Sequence, residues 1–223
     1  MGLLANIRND IRVALERDPA ATSQLEVILT YPGFHARQFH RLAHWLHGNR
    51  FHLPARAVSH FSRAVTGIEI HPAAKLGEGL FIDHGMGVVI GETAEVGADC
   101  HLYQGVTLGG TSTQRAKRHP SLGENVVVGA GAKIIGAVTI GNNAKIGAGS
   151  VVNSNVPENA TVVGVPGHVV AFADPGDDTI LRLPDPEWDI IQQLEQRLNT
   201  LEGRLNSLEG SQNHAGTGQG EVS

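Results

Sequence analysis

The spacing of apolar residues divides the chain into parts with different periods. In the first part, apolar residues recur at steps of three and four, which is the period of a helix that buries one face. This pattern predicts a first helix that ends before Asp18, a short second helix that opens at a capping box at Ser23, and two further helices over 34–47 and 54–66. Residues 1–67 are therefore predicted to form a helical cap.

From Ile70 onward an aliphatic residue returns every six positions. Glycine often follows it, and the fifth position of each repeat is usually small or β-branched. A helix cannot carry this pattern, because six is not a multiple of 3.6 and each glycine costs a helix about 1 kcal/mol relative to alanine. Short strands at three per turn predict a triangular parallel β-solenoid with about 18 residues per coil. The aliphatic positions are Ile70, Leu76, Ile82, Ile90, Val96, Leu102, Leu108, Leu122, Val128, Ile134, Ile140, Ile146 and Val152.

Two places break the six-residue spacing. The spacing shifts by two residues after Ile82, and there Asp83-His84 stands where glycine is usual. The segment 110–121 is a polar and basic interruption, and insertions in solenoids emerge as loops on one face, often the binding face. The functional site is therefore expected at these two breaks.

The repeat predicts that the β-solenoid spans residues 68–170. Residues 171–187 are rich in turn-forming residues and are predicted to be a linker. A heptad of aliphatic residues over 188–209 is typical of a short coiled-coil helix, which needs a partner helix. The small and polar segment 210–223 is predicted to be a disordered tail.

Composition and charge narrow the function classes. The 223 residues carry a net charge of −5, which disfavours binding to nucleic acid. No apolar run approaches the roughly 18 to 20 residues that span a bilayer, and the first residues carry acids that a signal peptide lacks. A soluble cytoplasmic protein is expected. Aromatic residues make up only 4% of the chain, so small and β-branched residues are expected to fill the core.

Thiol and metal chemistry receive little support. The single cysteine, Cys100, excludes an internal disulfide framework and a zinc site built mainly from thiolates. It occupies the small fifth position of a repeat, which predicts a packed thiol rather than a nucleophile. His40, His44 and His47 share one helix face and could approach a metal, but the same spacing describes an ordinary polar stripe.

The residues at the first break offer acid–base chemistry. An imidazole with a pKa near neutrality suits general base catalysis on a hydroxyl or amine, which makes His84 the candidate base. Such a base needs an orienting partner. Glu69 lies 15 residues earlier, slightly less than one coil, so contact between neighbouring coils is possible. The pattern leaves open the alternative that His84 lies at a solvent-exposed corner of the solenoid and has no catalytic role.

The basic interruption offers groups that bind anions. Arg118-His119 closes it and supplies a cation and a second imidazole, both suited to a small carboxylate. Gly109-Gly110 precedes it with backbone N–H groups that could face an oxyanion or a phosphate. Charge that serves only solubility is the alternative for this loop.

Several stretches of the chain resemble the serine acetyltransferase family of hexapeptide-repeat acyltransferases, from Asp18 to about Val170. The repeat by itself is generic to many acyltransferases. The order of HPAAK, IDHGMG, GVTLGGT and RHP after a helical cap is far more specific. The stretches are RDPA at 17–20, YPGFHARQFHRLAHWL at 31–46, IHPAAKLGEGLFIDHGMGVVIGETAEVG at 70–97, QGVTLGGT at 104–111 and KRHPSLG at 117–123.

The resemblance implies a fold, an assembly and a reaction. The fold would be an N-terminal helical cap followed by a left-handed parallel β-helix. The assembly would be a homotrimer or a dimer of trimers, with acetyl-CoA in a groove between neighbouring subunits. The reaction would transfer acetyl from acetyl-CoA to the hydroxyl of L-serine and yield O-acetyl-L-serine for cysteine synthesis. Acetyl-CoA would be a co-substrate, with no tightly bound cofactor and no metal.

The resemblance also assigns roles to residues. The family's catalytic histidine falls on His84, and its acidic partner, often aspartate, falls on Glu69. The groups that bind serine match Asp18, Asp83, Arg118 and His119. The groups that contact acetyl-CoA match Gly110, Thr111, Ala130, Lys145 and Ala148.

Three features depart from the family pattern. The helical cap is short, with Asp18 close to the start, so a single trimer is plausible. Members that dock into O-acetylserine sulfhydrylase have a C-terminal isoleucine, whereas this chain ends in Ser223, which argues against that complex. The heptad over 188–209 lies outside the resemblance and is interpreted as a helix that extends or tethers the trimer.

Three alternative functions remain to be weighed. A γ-carbonic-anhydrase-like zinc hydratase shares the fold but uses two loop histidines five residues apart, and here Gln114 and Glu124 flank His119 at that distance. A hexapeptide acyltransferase for another acceptor is disfavoured because Asp18 with Arg118-His119 suits a zwitterion. A solenoid that only assembles would leave both breaks in the repeat without a purpose.

Overall fold

A computed structural model describes residues 2–173, 180–182, 191 and 193–205. The chain forms two compact units, residues 1–182 and 183–223. Of the predicted linker 171–187, residues 171–173 and 180–182 are described and form strands, which the turn-rich sequence did not predict. The predicted tail 210–223 lies outside the described residues. In the second unit, the described residues 191 and 193–205 are helical. None of the described helices is both long enough and apolar enough to cross a membrane.

Four helices form the N-terminal part of the first unit. They are α1 (Leu3–Arg17), α2 (Gln24–Thr30), α3 (Pro32–Gly48) and α4 (His52–Thr66). α1 ends as predicted, because Asp18 precedes a proline and adopts an extended backbone. The predicted capping box is present at Ser23, whose hydroxyl accepts a hydrogen bond of 3.2 Å from the Glu26 N–H. α3 starts two residues earlier than predicted, since Pro32 fits the first turn of a helix.

Short strands follow the helices along the whole repeat region. They are β1 (Glu69–Ile70), β2 (Lys75–Leu76), β3 (Phe81–Ile82), β4 (Val89–Ile90), β5 (Glu95–Val96), β6 (His101–Leu102), β7 (Thr107–Gly109), β8 (Ser121–Leu122), β9 (Val127–Val128), β10 (Lys133–Ile135), β11 (Thr139–Ile140), β12 (Lys145–Ile146), β13 (Val151–Val152), β14 (Ala160–Val163), β15 (His168–Ala173) and β16 (Ile180–Arg182). Nearly all are two or three residues long, because the chain turns a corner after each aliphatic position.

Successive strands join three sheets in turn, so the chain coils as a parallel β-helix. The first sheet has the order β1-β4-β7-β10-β13, and the second has the order β2-β5-β8-β11. The third sheet begins β3-β6-β9-β12-β14 and ends with β15 and β16, which pair antiparallel. The helices at the N-terminus and the parallel pairing within the three sheets fit the predicted helical cap and parallel β-helix.

Strand register measures the length of each coil. Glu69 aligns with Val89, a coil of 20 residues, and Val89 aligns with Thr107 after the expected 18. Thr107 aligns with Lys133, so this coil contains 26 residues, and the next coil returns to 18 at Val151. The two long coils contain the two breaks in the repeat, which therefore project extra chain from the β-helix.

The interior of the β-helix is a stack of the repeated aliphatic residues. All of these positions are buried except Leu76, which is partly buried. Cys100 lies in the same interior, with its Sγ 3.1 Å from the carbonyl oxygen of Gly123, and burial raises the pKa of its thiol to about 11. The packed thiol predicted for this position is confirmed.

The helices are anchored closely on the first coil. A Cβ on Gly33 would lie 2.1 Å from the carbonyl oxygen of Ile82, so glycine allows α3 to approach β3. Arg37 of α3 is buried, donates a hydrogen bond of 2.9 Å to the Gly77 carbonyl, and pairs with Asp10 of α1 at 3.2 Å. This packing carries the end of α1 and the start of α3 to the corner of the β-helix that follows β3.

Candidate active site

Two edges of the triangular β-helix carry the candidate residues. The His84 edge consists of the turns that follow third-sheet strands, at 83–88, 103–106, 129–132 and 147–150. The loop edge consists of the turns that follow first-sheet strands, at 71–74, 91–94 and 110–120. Each edge is a continuous line of turns, because every coil places the equivalent turn directly above the previous one.

Asp83 and His84 occupy the first turn of the His84 edge. The Asp83 N–H donates a hydrogen bond of 2.8 Å to the Leu102 carbonyl, which keeps Asp83 in register with the next coil. His84 then enters the left-handed region at φ 56°, an uncommon conformation for a residue other than glycine. Its side chain is 73% exposed, and its Nε2 lies 3.9 Å from an Asp83 carboxylate oxygen. The imidazole is therefore accessible beside a carboxylate.

The helical cap adds Asp18 and Tyr31 to this turn. The Tyr31 hydroxyl donates a hydrogen bond of 2.6 Å to Asp18 Oδ2, and the Ala20 N–H donates one of 2.8 Å to Asp18 Oδ1. These hydrogen bonds, chiefly that from Tyr31, lower the pKa of the Asp18 carboxyl, and the charge of His84 acts in the same direction. Two carboxylates and one exposed imidazole thus meet on the His84 edge. Sequence analysis identified Asp18, Asp83 and His84 but missed Tyr31.

His101 is a second residue near this site that sequence analysis missed. It aligns with Phe81 in the neighbouring coil, and its ring stacks on Tyr103 with centroids 4.3 Å apart. Its buried Nε2 lies 3.9 Å from Asp83 Oδ2 and has no hydrogen-bond partner within the described part of the chain. Burial lowers the pKa of this histidine, which favours its neutral form. Counting one coil onward from Phe81 is the signal that could have located it.

Glu69 does not pair with His84 within the described structure. Its carboxylate forms an ion pair with Arg63 of α4, in which Oε2 of Glu69 lies 2.9 Å from a guanidinium nitrogen. The Glu69 side chain is about one-third exposed. The only carboxylate within ion-pair distance of His84, among the described residues, is that of Asp83. This conformation therefore does not bring together His84 and Glu69, which the sequence analysis had paired.

Arg118 and His119 lie on the loop edge, where Thr93 holds both. The Thr93 hydroxyl accepts hydrogen bonds of 3.0 Å from the N–H groups of Arg118 and His119. Arg118 also forms an ion pair with Glu92, which lowers the pKa of the Glu92 carboxyl. The end of the basic loop is thus fixed to the turn one coil before it.

His119 is held in one orientation and one tautomer. The Thr93 N–H donates a hydrogen bond of 3.2 Å to Nδ1 of His119, so the neutral ring carries its proton on Nε2. Burial lowers the pKa of His119, and the charge of Arg118 lowers it further. The ring rests against Gly91, where a Cβ would lie only 2.0 Å from Cδ2 of the imidazole. His119 therefore presents an N–H donor beside the Arg118 cation.

The residues matched to acetyl-CoA contacts are divided between the two edges. Gly110 and Thr111 begin the loop on the loop edge. Ala130 and Ala148 lie in adjacent turns of the His84 edge, where the Gly149 N–H donates a hydrogen bond of 2.8 Å to the Ala130 carbonyl. Lys145 is exposed on β12, in the sheet that leads into this edge. The turns at 129–132 and 147–150 of this edge consist only of glycine, alanine and serine.

One chain does not bring the two halves of the candidate site together. Asp18, Asp83 and His84 lie at the corner that follows the third sheet, whereas Arg118 and His119 lie at the corner that follows the first sheet. A whole sheet, containing β4 and β7, separates these corners. A site that uses all five residues needs a second copy of the chain beside the first.

The histidine stripe on α3 has structural contacts. His40 is buried against His44 with ring centroids 5.5 Å apart, and burial lowers the pKa of His40 to about 3. His44 shares a hydrogen bond of 2.7 Å with the Pro72 carbonyl, which links α3 to the first coil. Within the described residues, no group of three His, Cys, Asp or Glu side chains is placed to hold a metal ion.

Two family models match the chain. Residues 2–39 match the model described as "Serine acetyltransferase, N-terminal". Residues 119–154 match the model described as "Bacterial transferase hexapeptide (six repeats)". The two matches cover the helical cap with Asp18 and Tyr31, and the coils that follow Arg118.

Relatives and solved structures extend this likeness over most of the chain. A serine acetyltransferase of Synechococcus elongatus is 56% identical over 86% of this chain and 80% of its own length. One of Staphylococcus aureus is 52% identical over 89% of this chain and 94% of its own length. The serine acetyltransferase of Neisseria gonorrhoeae solved in complex with serine has a TM-score of 0.73 at 45% identity, covering 75% of this chain and 69% of that one.

A further solved structure completes the comparison. The serine acetyltransferase of Brucella abortus in complex with coenzyme A also has a TM-score of 0.73 at 45% identity, covering 75% of this chain and 67% of that one. Identity of this order over nearly the whole length of a curated relative shows common ancestry and not merely a shared repeat. The chain belongs to the serine acetyltransferase family.

Proposed function

We propose that this chain is a serine O-acetyltransferase, which transfers acetyl from acetyl-CoA to the hydroxyl of L-serine and yields O-acetyl-L-serine and CoA. The product would feed cysteine synthesis from serine. Relatives with more than half of their aligned residues identical are named serine acetyltransferase, and one related structure holds serine and another holds coenzyme A. The observation that carries the proposal is the meeting of Asp18 and Asp83 with the exposed imidazole of His84.

The proposed catalytic unit is a pair of neighbouring copies in a homotrimer of left-handed β-helices. The His84 edge of one copy faces the loop edge of the next, and the groove between them holds both substrates. This arrangement accounts for the separation of the two half-sites within one chain. In the alternative assembly, a dimer of trimers, two such trimers pair through the helical caps.

The heptad helix is proposed to join the copies further. Its described residues carry exposed aliphatic side chains at heptad spacing, which one chain leaves uncovered. Three parallel copies would bury them along a common axis. These side chains are Ile191, Leu194, Leu198, Leu201 and Leu205.

In the proposed reaction His84 acts as the general base. Its neutral imidazole takes the proton of the serine hydroxyl as the oxygen attacks the thioester carbonyl of acetyl-CoA. Backbone N–H groups near Gly110 stabilise the oxyanion of the tetrahedral intermediate. The intermediate then collapses, the carbon–sulfur bond breaks, and the imidazolium returns its proton to the departing thiolate of CoA. Glu69 would assist by leaving Arg63 and orienting the His84 ring.

Serine is positioned by charge at both ends. Asp18 and Asp83 receive the ammonium group, and Arg118 with His119 receives the carboxylate. The N–H on Nε2 of His119 and the guanidinium of Arg118 are both donors, as a carboxylate requires. The acetyl-CoA chain would follow the small turns at Ala130 and Ala148, beside the loop residues Gly110 and Thr111 and the ammonium of Lys145.

Release of CoA from acetyl-CoA in the presence of L-serine tests the proposed function. L-homoserine and a reaction without acceptor are the controls, and a zinc assay on the purified protein accompanies them. Serine-dependent release from zinc-free protein is the expected result. Absence of release together with bound zinc would favour the γ-carbonic-anhydrase-like hydratase, and release with another hydroxyl compound would favour a different acceptor.

A His84→Ala variant tests the assigned base. We expect turnover to fall by about 10²- to 10⁴-fold, because a positioned general base contributes an effect of that size. Binding of CoA, measured by calorimetry, should be retained, since the proposed CoA contacts lie in other turns. Wild-type turnover in this variant would contradict the assignment.

A further inference from the structure

We propose that Tyr31 is a positioning residue for the amino group of serine, because its hydroxyl holds the Asp18 carboxylate in the orientation that receives the ammonium. The inference rests on the proposed serine acetyltransferase function and adds a residue to its serine site. Tyr31 contacts Asp18 rather than any reacting atom, so its role is indirect.

The backbone of Tyr31 is held by two helices. Its N–H donates a hydrogen bond of 3.2 Å to the Val27 carbonyl and closes α2, while its carbonyl accepts one of 3.2 Å from the His35 N–H and opens α3. Pro32 follows directly and restricts the chain as the first residue of α3. The phenol ring therefore projects from a rigid junction between two helices.

The backbone of Asp18 is held at the end of α1, whereas its carboxylate is held by separate hydrogen bonds. Asp18 has an extended backbone, at φ −108° and ψ 105°; its N–H donates a hydrogen bond of 3.0 Å to the Ala14 carbonyl, and its carbonyl accepts one of 3.1 Å from the Ala21 N–H. Its carboxylate orientation depends on the Tyr31 hydroxyl at Oδ2 and the Ala20 N–H at Oδ1. Each oxygen accepts one hydrogen bond and keeps a lone pair for a further donor. The two bonds thus fix the carboxylate without saturating it.

The surroundings make the Tyr31 hydroxyl a permanent donor. Burial raises its pKa, and the charges of Asp18, Glu26 and Asp83 raise it further. The phenol stays protonated throughout the neutral range and always directs its hydrogen at Asp18. Because Asp83 and His84 act electrostatically on Tyr31 and Asp18 respectively, the fixed carboxylate belongs to the same cluster as the proposed base.

The Tyr31 ring also packs against apolar residues of α1 and β3, so its structural and positioning roles must be separated. Tyr31→Phe retains the ring and removes only the hydroxyl. We expect the KM for serine to rise about tenfold, since a hydrogen bond to a charged group is lost. The kcat should change less than about threefold and the KM for acetyl-CoA should not change, because neither depends on the orientation of Asp18.

Thr30→Val is the control. It removes the hydroxyl of the neighbouring residue, which donates a hydrogen bond of 2.8 Å to the Glu26 backbone carbonyl within α2 and not to a carboxylate. We expect wild-type kinetics from this variant. Tyr31→Leu, which also lacks the hydroxyl but keeps apolar bulk, repeats the comparison if Tyr31→Phe is too unstable to purify.

A double-mutant cycle shows whether Tyr31 acts through Asp18. In an Asp18→Asn background, Tyr31→Phe should change the serine KM by less than about twofold, because the carboxylate that the hydroxyl orients is already absent. An unchanged serine KM in Tyr31→Phe, or equal effects in both backgrounds, would overturn the inference. If the wild-type protein itself shows no serine-dependent release of CoA, the proposed function is wrong.

Discussion

Gly91 determines where the His119 ring can lie. No side chain intervenes between the two residues, and a Cβ at Gly91 would lie 2.0 and 2.1 Å from two atoms of the imidazole. Such distances are shorter than any van der Waals contact, so the ring would have to move. Because Thr93 also holds this ring through a hydrogen bond at Nδ1, movement would break the arrangement in which Nε2 is proposed to bind the substrate carboxylate.

A Gly91→Ala variant is therefore expected to raise the KM for serine by about tenfold or more, while the KM for acetyl-CoA changes little. Steady-state kinetics with each substrate varied in turn measures both. Gly48→Ala is the control, since a Cβ there meets no atom within 4 Å. Gly48 is the last residue of α3, so this substitution should leave the kinetics unchanged and raise the free energy of unfolding by up to about 1 kcal/mol. Unchanged serine kinetics in Gly91→Ala would contradict the assigned role of His119.

At the scale of elements, a ladder of asparagines supports the corner that follows the second sheet. Asn125, Asn143 and Asn159 occupy equivalent turns and all adopt positive φ, between 54° and 60°. Asn125 donates a side-chain hydrogen bond of 3.0 Å to Asn143, which donates one of 3.0 Å to Asn159. Asparagine tolerates the left-handed conformation better than most residues and also links neighbouring coils.

Two substitutions separate the contributions of this ladder. Asn143→Gly removes the side-chain hydrogen bonds but keeps a residue that accepts positive φ, and we expect a loss of about 1 kcal/mol in the free energy of unfolding. Asn143→Ala adds the strain of a Cβ in the left-handed region and should cost about 1 kcal/mol more. Urea denaturation of both proteins checks the order. Equal losses would show that backbone conformation contributes nothing at this corner.

At the scale of the whole molecule, the separation of the two edges gives a test of the shared site. His84→Ala and Arg118→Ala should each be inactive alone. Trimers that contain both variants should recover about a third of the wild-type activity, because one of the three interfaces in each such trimer joins an intact His84 edge to an intact loop edge. Co-expression with two affinity tags provides the mixed assembly, and activity of the doubly tagged fraction is measured.

A chain that carries both substitutions serves as the control for this experiment. Mixed with His84→Ala, it should remain inactive, because no interface then contains an intact His84 edge. If mixed assemblies form without regaining activity, the proposed site between neighbouring copies is wrong.

Much of the architecture was predictable because repetition is a local property of sequence. The six-residue return of aliphatic positions alone predicted short strands, three sheets and an 18-residue coil, which the register from Val89 to Thr107 confirms. Each interruption of a strict period must project from the coil, and this identified Asp83-His84 and the loop that ends at His119. The motifs within these breaks predicted the family, which the comparisons confirm.

Other features of the chain stay predictions. The coiled-coil pairing of the helix within 188–209 stays a prediction, and the predicted disorder of 210–223 falls outside the described residues. The trimer, the roles of the site residues and the cytoplasmic location also stay predictions.

Only the tertiary structure decided how residues distant in sequence pair around the site. The hydrogen bond from Tyr31 to Asp18, the approach of His101 to Asp83 and the ion pair of Glu69 with Arg63 all depend on how the helical cap packs on the first coil or how coils stack. No sequence period encodes these contacts, since each joins separate elements and depends on side-chain rotamers. By itself, the sequence determined the repeat, its two breaks and the residue types they carry. Packing decided which of those residues meet in one chain and which lie apart on different edges of the β-helix.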